Sequence, residues 1–85
     1  MFMEYGKNTL EALENMETAL KKADYELIAR EGHSLKGSGR MYGIPELSDL
    51  GAEIEQAAIT KSRNRCLSLL STLRILAQQS WYIPR

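Results

Sequence analysis

The sequence predicts an all-α fold, an antiparallel up-and-down four-helix bundle, and three observations carry that prediction. Apolar residues recur at helical spacing in four successive segments. The connections between them are only a few residues long, and no run of alternating apolar and polar residues competes as a strand. The 85 residues suffice for one small domain, 1–85, and at this size the buried share of the surface is modest, which favours a simple helical fold.

The first helix runs from about Phe2 to Lys22, with Phe2, Gly6, Leu10, Leu13, Met16 and Leu20 as its apolar stripe. Ala23-Asp24 breaks it, and the Asp24 carboxylate caps the free backbone N–H groups of the second helix. Phased at about 100° per residue with His33 at zero, Ile28, Gly32, Leu35, Gly39 and Tyr42 gather at about 180–260° as the core-facing side. Gly43 ends this helix, and Pro45 after Ile44 opens the next. The third helix runs to about Thr60 and puts Leu47, Leu50, Gly51, Ile54, Ala57 and Ala58 on one face. Ser62 then caps a fourth helix to about Gln79, whose inward arc gathers Cys66, Leu69, Leu70, Leu73, Leu76 and Ala77. The tail Trp81-Tyr82-Ile83-Pro84 is apolar enough to fold back over the bundle, with Trp81 as a packing anchor. Met16 and Met41 read as core filler, Ser38 as a small packing residue, and Lys61, Arg63 and Arg65 as a solvated helix start.

Composition excludes several function classes. Eleven Lys plus Arg balance eleven Asp plus Glu, so the basic excess that drives phosphate-backbone binding is missing and no nucleic-acid role is expected. No apolar run reaches the ~18 residues of a membrane span, so no membrane role is expected either. With one cysteine, Cys66, no internal disulfide forms, which fits a reducing cytoplasmic setting; a monomer is expected. A single histidine and a single inward cysteine supply neither a metal ligand set nor a Cys-His nucleophilic pair. Gly37-Ser38-Gly39 lacks the spacing and the preceding strand of a phosphate loop.

What remains is the run His33-Ser34-Leu35-Lys36-Gly37-Ser38-Gly39. The phasing turns His33 to water, sharing its side with Glu26, Ala29, Arg30, Lys36, Gly37 and Arg40, a mostly cationic surface. A surface histidine beside a lysine is by itself commonly only solvated, and the surrounding glycines single this one out. Each glycine inside a helix costs roughly 1 kcal/mol relative to alanine, so something must compensate for Gly32, Gly37 and Gly39. Inward, Gly32 and Gly39 let a neighbouring helix approach. Outward, Gly37 leaves room for a partner or a phosphoryl group beside the imidazole. An exposed neutral ring flanked by Lys36 at i+3 and Arg40 at i+7 can accept a phosphoryl group while the cations offset its charge.

These residues, followed by Gly43, Leu47, Leu50, Ile54 and Glu55, resemble the histidine-containing phosphotransfer (HPt) domain of bacterial multistep phosphorelays, over about Leu27 to Ala58. The resemblance implies a four-helix bundle that presents His33 on its second helix as the phosphoacceptor, through the ring nitrogen farther from the backbone. It implies Lys36 in contact with the phosphoryl group and Gly37 admitting the partner; docking is expected over the outward face phased above, with Gly37, Arg40, Arg30 and Ala29. The partner would be the receiver domain of a response regulator or hybrid histidine kinase, whose aspartate and Mg²⁺ provide most of the catalysis. This chain would have no cofactor and no kinase activity. The chain is shorter than many family members and is expected to lack the extra amino-terminal helix that some carry. Two other roles fit the same fold: a docking module that carries no phosphate, and the substrate domain of a chemotaxis-type kinase.

Overall fold

The structure, a computed structural model, describes residues 2–82, with side chains described from 9 to 76. Four helices follow one another: α1 (Phe2–Lys21), α2 (Tyr25–Tyr42), α3 (Pro45–Ile59) and α4 (Arg63–Tyr82), with no strand among the described residues. None of these helices is long and apolar enough to cross a membrane.

The three connections share one construction. Ala23, Gly43 and Lys61 each take a left-handed backbone, with φ of 57°, 70° and 57°. At each, two N–H groups turn back onto the last carbonyls of the preceding helix. The Gly43 N–H donates to the Arg40 carbonyl at 3.3 Å and the Ile44 N–H to Gly39 at 2.8 Å; Asp24 donates to Ala19 at 2.8 Å and Ser62 to Ala57 at 2.9 Å. This is the Schellman ending, in which glycine pays no steric cost and Ala23 and Lys61 each pay about 1 kcal/mol. At the next helix start, the Leu27 N–H donates to Asp24 Oδ1 at 3.3 Å, the cap read from the sequence. Ser62 behaves differently: its carbonyl accepts the Cys66 N–H, but its hydroxyl lies 3.0 Å from that of Thr60 and makes no side-chain cap.

Burial follows the stripes. Leu13, Met16 and Leu20 of α1, Ile28 and Leu35 of α2, and Leu47, Leu50, Ile54, Ala57 and Ala58 of α3 meet Cys66, Leu70 and Leu73 of α4 in one core. Each large side chain in it contributes about 1.5–3 kcal/mol of burial. Two expected core residues are not there. Met41 is 81% exposed, because eight residues past His33 it turns back to the outward side of α2. Tyr42 is 47% exposed, because it is the last residue of α2, immediately before the chain turns away at Gly43. The fourth helix also outruns its expected end at Gln79. Trp81 and Tyr82 continue as helix, since no glycine or proline precedes Pro84 to stop it. The burial expected for Phe2, Gly6, Ala77 and Trp81 falls outside the described side chains, and Ile83 and Pro84 fall outside the described residues.

Each helix packs on its chain neighbours, and α4 closes the ring onto α1. Two arginines hold that closing seam. Arg63 Nη1 donates to the Leu20 carbonyl at 3.0 Å, and Arg74 Nη2 donates to Glu17 Oε2 at 2.6 Å. Arg63, read as simply solvated, thus occupies a carbonyl at the end of α1.

Candidate functional site

The site grows out of how closely α2 and α3 approach. A methyl group at Gly32 would stand 2.8 Å from the Glu55 backbone nitrogen and 2.9 Å from the Gly51 carbonyl oxygen. At Gly51 it would stand 2.5 Å from the Lys36 nitrogen, and at Gly39 it would run into the backbone of Ser48. All are well inside the 3.4 Å of ordinary contact. The two helices therefore meet backbone to backbone, and only hydrogen fits at these three positions. Gly32 and Gly39 are the inward glycines whose propensity cost needed compensation.

That approach brings a residue of α3 to the histidine. His33 follows Gly32, and Glu55 belongs to the turn of α3 that Gly32 touches. Glu55 Oε2 accordingly lies 3.4 Å from His33 Nδ1. The imidazole side chain is 73% exposed and the carboxylate 26% exposed. One ring nitrogen thus faces a half-buried anion, and the other is left toward solvent. Reading α2 alone gave the ring a mostly cationic setting; the charged group nearest to it across the helix seam is an acid.

The other expected residues divide. Gly37 is exposed, and a methyl group built there meets no heavy atom within 4 Å, so the space beside His33 on α2 is open. Lys36 is half-buried, Arg30 and Arg40 are exposed, and none of the three forms an ion pair or side-chain hydrogen bond among the described residues. Their charges are available to an incoming anion. Ala29 is half-buried and packs against the core, which gives it a smaller share of the outer face than the others. No group of three or more His, Cys, Asp or Glu among the described residues is placed to hold a metal ion. Cys66 is buried, and burial pushes its thiol above the ordinary range while the Arg65 charge draws it partly back. A buried protonated thiol is no nucleophile.

The arrangement can accept one electrophilic group. An imidazole with a carboxylate behind Nδ1 keeps its proton on that side, leaving the Nε2 lone pair pointing outward. Unpaired cations at i−3, i+3 and i+7 suit a negatively charged electrophile, and the flank at Gly37 is open.

A family model described as Hpt domain matches residues 3–81 of the chain. No curated protein and no solved structure matches it.

Proposed function

The chain belongs to the Hpt domain family, whose members take phosphotransfer roles in phosphorelays and meet receiver domains there, and from that premise we propose that His33 is the phosphoacceptor of a phosphorelay shuttle. The observation that carries this is the pairing of an exposed imidazole with Glu55 behind it and open space at Gly37 beside it.

The chemistry follows from the ring. The Nε2 lone pair attacks the phosphorus of an aspartyl phosphate on the receiver. An N–P bond forms as the P–O bond to the aspartate breaks, and the aspartate leaves as a free carboxylate. The ring becomes cationic with its proton still on Nδ1, and Glu55 lowers the energy of that state from 3.4 Å away. Lys36 stands one turn from His33, where its ammonium offsets the phosphoryl charge, and Arg30 and Arg40 extend the positive field over the docking face. Transfer onward to a second aspartate is the same step reversed. The divalent cation that assists phosphoryl exchange belongs to the receiver. The chain carries the group without kinase activity of its own, works as a monomer, and resides in the cytoplasm with its partners.

Incubation with a receiver domain phosphorylated on its aspartate tests this directly. Acid-labile, base-stable phosphate should appear on the chain and be absent from His33→Gln. Label that still transfers to His33→Gln at the parental rate would remove His33 from the role. Glu55→Gln keeps the side-chain size but loses the charge that offsets the cationic ring, so it should slow transfer, and an unchanged rate would remove Glu55 from the role.

A further inference from the structure

A second feature lies on the other flank of α3. Between α3 and α4 runs an open groove of about 400 Å³, lined by Glu46, Asp49, Leu50, Glu53, Thr72, Ile75 and Leu76. Its floor is apolar. Leu50 is buried and Leu76 half-buried, but Ile75 is 56% exposed at its edge. Of the neighbouring outward positions of α4, Ser68, Ser71 and Thr72 are polar, and Leu67 is half exposed. An isoleucine with more than half its surface in water adds little to this chain's own core.

The wall is charged with one sign. Glu46, Asp49 and Glu53 follow one another at i, i+3 and i+7, which stacks three carboxylates along the groove. Glu46 and Asp49 have no ion-pair partner among the described residues, and Glu53 only the 4.0 Å approach of Arg65, with both side chains more than half exposed. At about 100° per residue, Glu53 stands roughly 200° around α3 from Glu55, so the groove and the histidine face away from each other.

We propose that the α3–α4 groove is a second docking surface, which takes a basic amphipathic helix of a partner protein and stays open while the His33 face is engaged. Charge complementarity selects this occupant. A helix with leucine-like residues at i, i+3 or i+4 and i+7 would cover Ile75 and the groove floor, while lysines or arginines on its flank meet the carboxylate wall. The inference stands apart from the phosphoryl chemistry of His33, and its test does not use that chemistry.

The test titrates the whole chain with a synthetic helical peptide bearing leucines at that spacing and lysines on the flank, and with a counterpart whose lysines are glutamates. Anisotropy reads affinity and amide chemical-shift mapping reads position. The lysine peptide should bind saturably, with shifts confined to residues 46–53 and 72–76 and the His33 ring signals unmoved; the glutamate peptide should not bind. The double variant Asp49→Lys/Glu53→Lys and the single variant Ile75→Ser alter exposed positions, so they should fold as the parent does by circular dichroism. Each should bind the lysine peptide about tenfold more weakly or worse. Absence of saturable binding, equal affinity in the variants, or shifts centred on α2 would overturn the proposal. So would self-association of the chain alone through residues 46–53, because the groove would then belong to a second copy.

Discussion

Two alanine substitutions on one helix separate the role of glycine as a spacer from its role as a poor helix former. Gly37→Ala and Gly39→Ala lie two residues apart on α2 and gain the same helix propensity, about 1 kcal/mol. At Gly37 the new methyl group meets nothing within 4 Å, so the whole gain is realised and the melting temperature should rise by about 4–8 °C. At Gly39 the methyl group overlaps the Ser48 backbone nitrogen and falls 2.7 Å from its Cα and 2.9 Å from its Cβ. Backbone cannot swing aside as a side chain can, so α3 must retreat by more than half an ångström from a packed seam. Overpacking of this kind costs about 1–3 kcal/mol and more where the obstacle is rigid. Taking the upper figure and subtracting the propensity gain leaves Gly39→Ala about 2 kcal/mol below the parent and about 3 kcal/mol below Gly37→Ala. Urea unfolding followed by far-ultraviolet circular dichroism measures both. Equal stability of the two variants, or Gly39→Ala as the more stable, would refute the close approach of α2 and α3, and with it the reason Glu55 stands behind His33.

Further outcomes follow from the same geometry. Gly37→Leu should keep the parental fold and be at least as stable, since leucine is a far better helix former than glycine, yet block phosphoryl transfer from a receiver, and normal transfer kinetics would show that the open flank does not serve access. Lys61→Gly and Ala23→Gly relieve left-handed strain of about 1 kcal/mol each, so each should raise the urea midpoint slightly and the pair should add; a lower midpoint would contradict the described helix ends. Burial first, against the opposing Arg65 charge, raises the Cys66 thiol in the folded chain above its unfolded value. The neutral thiol therefore contributes its full stability below the unfolded value of about 8.5, and that contribution is lost as pH rises through the folded value. Stability should fall more steeply with alkaline pH in the parent than in Cys66→Ala, and a thiol reagent at neutral pH should label Cys66 only at the unfolding rate; rapid native-state labelling would contradict its burial.

Much of this was legible in the sequence because helix spacing reports directly on burial. The six-residue stripe of the third helix, Leu47 to Ala58, is buried throughout, and Asp24, Gly43 and Pro45 mark helix ends by their own backbone chemistry. Met41 was misread by residue type although its phase on α2, about 80° from His33, already pointed outward. Tyr42 was misread by phase, since an inward direction gives burial only where a facing helix covers the position. Glu55 was missed as a neighbour of the ring because phasing one helix ranks only that helix's own residues. The signal was nonetheless available: the tight turn at Gly43-Ile44 folds α3 back along α2, and reflecting position 33 through it lands on 54–55. No periodicity shows the groove between α3 and α4, which depends on how far apart two helices settle.

A seam in which main chain meets main chain has nothing soft in it to yield. In the proposed role, a phosphoryl group on His33 would change the charge at the surface while the two rods beneath hold their spacing, so loaded and empty proteins should superpose closely. News of loading would then leave this molecule as an altered electric field rather than an altered shape, to be read at the ring itself.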